Sequence, residues 1–180
     1  MTELLVPVPA LGAPELLATP VRAALAALGS AGEDVLVAAI DPELADTAAF
    51  CAHYGVRLDE SANCVVVATR RAGETQLVGC VVLAITRVDV NGALRRHVGA
   101  RKASFAPMPE AVAASGMEFG GITPVGLPGD WPLLIDAAVA RHPRVVVGSG
   151  LRRSKLILPG RLLAALPGAQ VLEGLGRPAP

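Results

Sequence analysis

The chain is 180 residues long, enough for one domain with a sizeable core, and at 52% hydrophobic but only 3% aromatic it must build that core from Ala, Val and Leu. So few rings argue against a surface that stacks nucleobases on aromatic side chains. The formal net charge of zero hides a split, with 5 Lys/Arg against 11 Asp/Glu in residues 1–90 and 11 against 5 in residues 91–180. A basic face that attracts phosphate is therefore compatible with neutrality, unless the two halves interleave and their fields cancel.

In chain order, Met1–Pro14 carries Pro7, Pro9, Gly12 and Pro14 and reads as an irregular arm. Glu15–Leu28 spaces Leu16, Leu17, Val21, Ala24, Leu25 and Leu28 three and four apart, which predicts a helix ended by Gly29. Val35–Ile40 reads as a buried strand. Asp46 is a suitable N-cap for a helix over Thr47–Tyr54, with Gly55 as its left-handed stop. Cys64–Thr69 and Leu77–Ile85 are Val-rich and flank a polar Arg70–Gln76 containing Gly73, which predicts an antiparallel hairpin.

Asn91–Val98 and Pro109–Ser115 read as short helices with a basic loop between them, the second closed by Gly116. Gly120–Gly129 packs four glycines and two prolines into ten positions, too many for the interior of a helix or strand, and must be a shaped loop. Extended runs follow at Leu133–Ala137, Arg144–Gly148 and Lys155–Leu158, then a helix over Gly160–Leu166, a strand at Gln170–Glu173 and a tail over Gly174–Pro180. Strands and helices mix without βαβ alternation, so the expected class is α+β, a single domain with a central mixed, mostly antiparallel sheet and flanking helices.

No run of about 18 apolar residues and no basic-then-apolar leader is present, so the expectation is a soluble, cytoplasmic protein without membrane contact. Cys51, Cys64 and Cys80 lack paired spacing and a neighbouring His cluster, which disfavours disulfides and metal. No cofactor is expected. His53, His97 and His142 are scattered and none has the context of a catalytic base.

The run Gly120-Gly121-Ile122-Thr123-Pro124-Val125-Gly126, shortly before Ile135-Asp136-Ala137, resembles the glycine-xxx-proline loop of the YbaK/EbsC and prolyl-tRNA editing family. Upstream, Thr19-Pro20-Val21 with its Leu/Ala-rich helix, and Gly55-Val56 then Glu60–Val67, resemble the family's first helix and first central strand. Downstream, Val145–Gly150 and then Pro159–Leu166 resemble its closing strand and helix. The similarity spans residues 19–175. It implies the family's fold and a substrate class of aminoacyl-tRNA, chiefly proline tRNA bearing Ala or Cys, deacylated here in trans.

Two departures accompany the resemblance. Asn63-Cys64-Val65 stands where the family usually has Lys in a Lys-Thr-Leu context, and Asn63 can donate from its amide but cannot neutralise a phosphate. Lys155 stands where many free-standing members have Asp.

Deacylation needs an attacked carbonyl, donors for the resulting oxyanion and a proton acceptor. Gly120 and Gly121, lacking Cβ atoms, would let main-chain N–H groups approach a substrate oxygen, with Asn63 as a further donor and Pro124 fixing the loop's exit; a plain tight turn is the alternative. By resemblance, the ribose hydroxyl beside the ester assists the attack, so no protein base is required. Thr47, Phe50, Thr123, Pro124, Ser149 and Gly150 are the candidate substrate contacts. Ser149 could instead cap a turn, and without a nucleophile elbow it is no covalent catalyst. Arg101 and Lys102, with Arg95 and Arg96 nearby, form one basic group and Arg152, Arg153 and Lys155 another; either could hold RNA phosphates or simply face solvent. Asp136 could accept main-chain hydrogen bonds and orient a loop. The expected partner is the acceptor end of a mischarged tRNA, not DNA, and self-association into a homodimer is left open. The competing reading is a non-catalytic module that binds an aminoacyl-tRNA or nucleotide-like ligand and has lost the family lysine at Asn63.

Overall fold

The computed structural model describes residues 4–178. Its elements are β1 (Val8–Pro9), α1 (Thr19–Ala27), α2 (Ser30–Glu33), β2 (Leu36–Ala39), α3 (Thr47–Tyr54), β3 (Ala62–Arg71), β4 (Glu74–Leu83), β5 (Thr86–Val88), α4 (Arg95–His97), β6 (Lys102–Phe105), α5 (Met108–Ser115), β7 (Leu133–Asp136), α6 (Ala137–Arg141), β8 (Val145–Gly148), β9 (Ser154–Leu158), α7 (Gly160–Ala164), β10 (Ala169–Leu172) and β11 (Gly176–Pro178).

The β3–β4 hairpin is the longest feature of the chain. Its turn is two residues, Ala72 and Gly73, both at positive φ (52° and 87°), the geometry whose twist matches that of paired strands. The register runs from Arg71 opposite Glu74 to Ala62 opposite Leu83. β4 shows why: Val78, Cys80 and Val82 enter one apolar cluster while Val81 and Leu83 enter another, the period-2 alternation of a strand buried on both faces.

Five strands in the order β10-β7-β4-β3-β6 form the larger sheet, parallel at β10–β7 and β7–β4 and antiparallel elsewhere; β1-β2-β9-β8 form an antiparallel second sheet. Val37, Val145, Val147, Leu156 and Leu158 of the smaller sheet share one core cluster with Val81, Leu83, Leu133 and Ile135 of the larger, and with Val21 and Leu25 of α1. The main core therefore lies between the sheets. The opposite face of the smaller sheet, Ala38, Val146 and Ile157, packs on Phe50, Cys51 and Tyr54 of α3. The sheets meet where Val146 N–H donates to Glu60 O at 2.8 Å and Ser61 bridges Val146.

The fold is the expected α+β single domain; short elements unforeseen in the sequence are α2, β5 and α6, and the larger departures are these. The lead is not an irregular arm where it is described, because Val8–Pro9 pairs with β2 and Ala10 and Ala13 are buried; residues 1–3 lie outside the described residues. The tail is likewise paired, β11 on β5, and Arg177 bonds Asp89 at 2.7 Å; residues 179–180 lie outside. The helix expected over Glu15–Leu28 splits into a 3-10 turn at Pro14–Leu16 and α1, because Pro20 has no N–H to donate to Leu16 O and fits only a first turn, so α1 starts at Thr19 with Ala18 extended before it. The basic loop before α5 contains a strand, β6, on the edge of β3. Asp46 and Gly55 do cap α3 as their residue types require, the carboxylate accepting from Ala48 N at 3.1 Å and the glycine at φ 66°. No helix among the described residues is long and apolar enough to cross a membrane.

Candidate functional site

A cavity of about 440 Å³ opens where β3 and β8 diverge, lined from β3 by Asn63, Cys64 and Val66, from β8 by Val146–Gly148, from the entry to α3 by Ala45, Asp46 and Thr47, and from β9 by Lys155. Phe105 and Met108 close one side, Phe119, Gly120 and Ile122 another. That volume is in the range of small-ligand sites.

Asn63 is presented by the pleat of β3, opposite Val82, and its Oδ1 accepts from Thr47 Oγ1 at 2.7 Å. The bond joins the first turn of α3 to the start of β3. With Oδ1 engaged, the two Nδ2 protons are left for whatever occupies the cavity.

Lys155 alternates with its neighbours on β9. Ser154, Leu156 and Leu158 face the main core or α1 lead, whereas Lys155 shares the α3 face with Ile157. Only 8% exposed, its Nζ donates to Ala45 O at 3.1 Å and lies 5.2 Å from the centre of the Phe50 ring. Burial depresses its pKa below the ordinary lysine value, a loss partly offset by Cys51 and Asp46. The sequence placed Lys155 with Arg152 and Arg153 in an RNA-facing group; the structure instead turns it inward, so a cation absent at position 63 reaches the same cavity from another strand. Phe50 does not line the cavity and supports Lys155 from behind.

The glycine bend divides. Gly120, at φ 76°, lines the cavity, and its N–H makes no hydrogen bond to another described residue. Gly121 is turned away: its N–H donates to Glu118 O at 2.9 Å and its carbonyl accepts from Gly150 N at 2.8 Å. A Cβ on Gly121 would stand 2.6 Å from the Leu151 main chain, so this glycine serves close packing rather than substrate approach. Thr123 and Pro124 are buried behind the bend.

Ser149 is fully buried and its hydroxyl is used within the turn, paired with Ser154 Oγ at 2.7 Å and accepting from Leu151 N at 3.2 Å. Gly150, at φ 86°, packs against Ala18, where a Cβ would come within 2.4 Å. Neither lines the cavity. Asp136 accepts from Ala138 N at 2.8 Å and Gly176 N at 2.7 Å, orienting α6 and the tail as its acceptor-only chemistry suggested.

Of the basic residues, Arg152 is a strap, donating to Phe119 O at 3.3 Å and Pro42 O at 3.0 Å with its guanidinium over the Phe119 ring. Arg153 donates to Glu15 O at 2.8 Å. Arg101 and Lys102 are exposed on and beside β6, Lys102 opposite Arg70, and lie outside the cavity.

Sequence reasoning missed the aromatic rim. The composition argued against base stacking, yet Phe105 and Phe119 stand at the cavity 65% and 56% exposed, beside the exposed Met108. The signal was present as a Phe at the end of an edge strand and another directly before a Gly-Gly pair. Cys64 also lines the wall, and burial pushes its thiol up to about 12, so at neutral pH it is no thiolate nucleophile. The cavity wall contains no histidine.

A family model described as an aminoacyl-tRNA editing domain matches residues 41–166. Among solved structures, a candidate trans-editing enzyme for prolyl tRNA synthetase superimposes with a TM-score of 0.73 at 24% identity, covering 87% of this chain and 94% of that one. The hypothetical protein APE2540 gives a TM-score of 0.73 at 22% identity, covering 84% and 97%. No curated protein sequence matches the chain. The cavity residues from Ala45 to Lys155 all lie within the matched segment, and the chain belongs to the aminoacyl-tRNA editing domain family.

Proposed function

We propose that this protein is a trans-acting deacylase that hydrolyses the ester between a mischarged amino acid and the terminal ribose of its tRNA, of the proline-tRNA type carrying Ala or Cys or a closely related specificity. The observation that carries the reading is the convergence of Thr47, Asn63, Gly120 and Lys155 on one cavity of amino-acid-ester size within an editing-family fold. The wall offers donors and no histidine, and its one carboxylate, Asp46, is engaged in capping α3. That pattern suits a reaction in which the protein positions the ester and polarises its carbonyl while the neighbouring ribose hydroxyl assists water. Thr47 and Asn63 would hold the bound amino acid or ribose, and Gly120 N–H would face the acyl oxygen. Arg101 and Lys102 would meet the acceptor-stem phosphates. Action on free mischarged tRNA belongs to the same proposal, supported by the likeness to the trans-editing candidate, and a cytoplasmic location goes with that substrate.

One observation favours a second reading. Because the Gly121 amide is bonded to Glu118, the bend presents one free donor and not two, which would suit a module that binds an aminoacyl end without turning it over quickly. Incubation with tRNAs charged with different amino acids separates the two: catalytic loss of one amino acid supports the deacylase, and saturable binding with unchanged ester half-life supports the module.

A further inference from the structure

Lys155 is the one buried lysine of the described chain, and its surroundings do not account for it. A protonated amine carries three donors; Ala45 O takes one, and no carboxylate lies within ion-pair distance among the described residues. Removing such a charge from water is costly, and a buried cation without a paired anion persists where function uses it. The Phe50 ring beneath it repays part of that cost. The remaining protons have the cavity to point into.

We propose that Lys155 is a catalytic residue of the deacylation, its ammonium donating to the acyl carbonyl oxygen and carrying the negative charge that develops there. The inference rests on the deacylase reading and adds to it the principal oxyanion donor, in the place that the glycine bend leaves half filled. In the step, the water oxygen bonds to the carbonyl carbon and the carbon–oxygen bond to the ribose breaks. The proton lost by water goes to the departing ribose oxygen, giving free amino acid and a free terminal hydroxyl. Lys155 keeps its proton throughout. Its place on the cavity wall under Ala45, 8% exposed where Phe105 and Phe119 are more than half exposed, favours the buried acyl oxygen over a backbone phosphate, which would remain near solvent.

The test compares single-turnover deacylation by wild type, Lys155→Met and Lys155→Arg on the mischarged tRNA that wild type hydrolyses fastest, with thermal unfolding of each variant. Loss of an oxyanion donor predicts a ~10²–10³-fold fall in the rate at saturation for Lys155→Met with KM nearly unchanged, and partial recovery in Lys155→Arg. A folded Lys155→Met that keeps the wild-type rate overturns the inference, as does a loss confined to KM that grows with salt, which assigns Lys155 to phosphate. Absence of hydrolysis by wild type on every charged tRNA overturns the deacylase reading itself, and the inference with it.

Discussion

Thr47 Oγ1 donates 2.7 Å to Asn63 Oδ1, tying the first turn of α3 to the start of β3 across the mouth of the cavity. The bond fixes which face of the Asn63 amide the cavity sees. Thr47→Val keeps the shape and removes the donor; it should lower stability by about 1 kcal/mol and slow deacylation, because the amide is then free to turn. Asn63→Ala should slow deacylation at least as much, and the double variant should fall short of the sum of the singles, as two residues acting through one bond require. Additive losses in rate would show that they act independently.

The two glycines of the bend should separate in thermal unfolding. An added methyl on Gly120 meets only the far end of Arg152, at 2.6 Å, so Gly120→Ala pays chiefly for a left-handed backbone, about 1 kcal/mol. On Gly121 it meets the Leu151 main chain, which has no room to yield, and the loss should exceed that, ~2 kcal/mol or more. Activity should follow the opposite logic at Gly120, with deacylation impaired beyond what its small stability loss explains.

Exposed rings at a cavity rim invite a flat partner. Phe105→Ala should leave unfolding nearly unchanged and Phe119→Ala should cost no more than its exposed contact with Arg152, about 0.5–1 kcal/mol, while each raises KM for charged tRNA about tenfold, the scale of one lost base stack. Unchanged KM in both variants would show that the rim does not touch the RNA.

Phosphate contact is best tested away from the straps. Arg152 and Arg153 hold Phe119, Pro42 and Glu15 carbonyls, so their removal would disturb the bend as well as any RNA contact. Arg101 and Lys102 are free of such duties, and replacing both with Ala should weaken tRNA binding and reduce the slope of log K against log salt by about 0.7–0.9 for each phosphate lost. A slope equal to that of wild type would remove this pair from the interface.

Stability should carry the mark of Lys155 in its pH dependence. Its folded pKa is depressed, mainly by burial and to a lesser extent by the Arg152 charge, with Cys51 and Asp46 pulling it part of the way back. Between the folded pKa and the unfolded value of 10.5 the unfolded chain binds the extra proton, so stability rises with pH across that window and the charged lysine costs stability below it. Lys155→Met should therefore raise the Tm near neutral pH, by ~2–4 °C for each kcal/mol recovered at this chain length, and the gap to wild type should narrow as pH climbs towards 10.5. A variant that melts lower at neutral pH would mean that the Ala45 and Phe50 contacts outweigh desolvation.

Much of the frame was legible because it depends on local chemistry. The Val-rich hairpin, the Asp46 and Gly55 caps and the glycine-dense loop each follow from what single residue types permit. The site was legible only in part. Lys155 reads in sequence as the third member of a basic run, and only the pairing of β9 between β2 and β8, which buries all five of its residues, turns it towards α3. Ser149 and Gly121 looked like ligands because small residues in turns serve packing and binding alike, and the chain alone does not show that Ser154, Glu118 and Gly150 already take their hydrogen bonds. The pairing of Val8–Pro9 and Gly176–Pro178 escaped notice since two- and three-residue strands carry no periodicity.

The most direct measurement of the central claim is the half-life of the ester on a panel of tRNAs, each charged with one amino acid, with and without catalytic amounts of the protein. The expected result is turnover of a small mischarged residue such as alanine or cysteine on proline tRNA, with correctly charged tRNA spared. Equal half-lives with and without protein across the whole panel would contradict it.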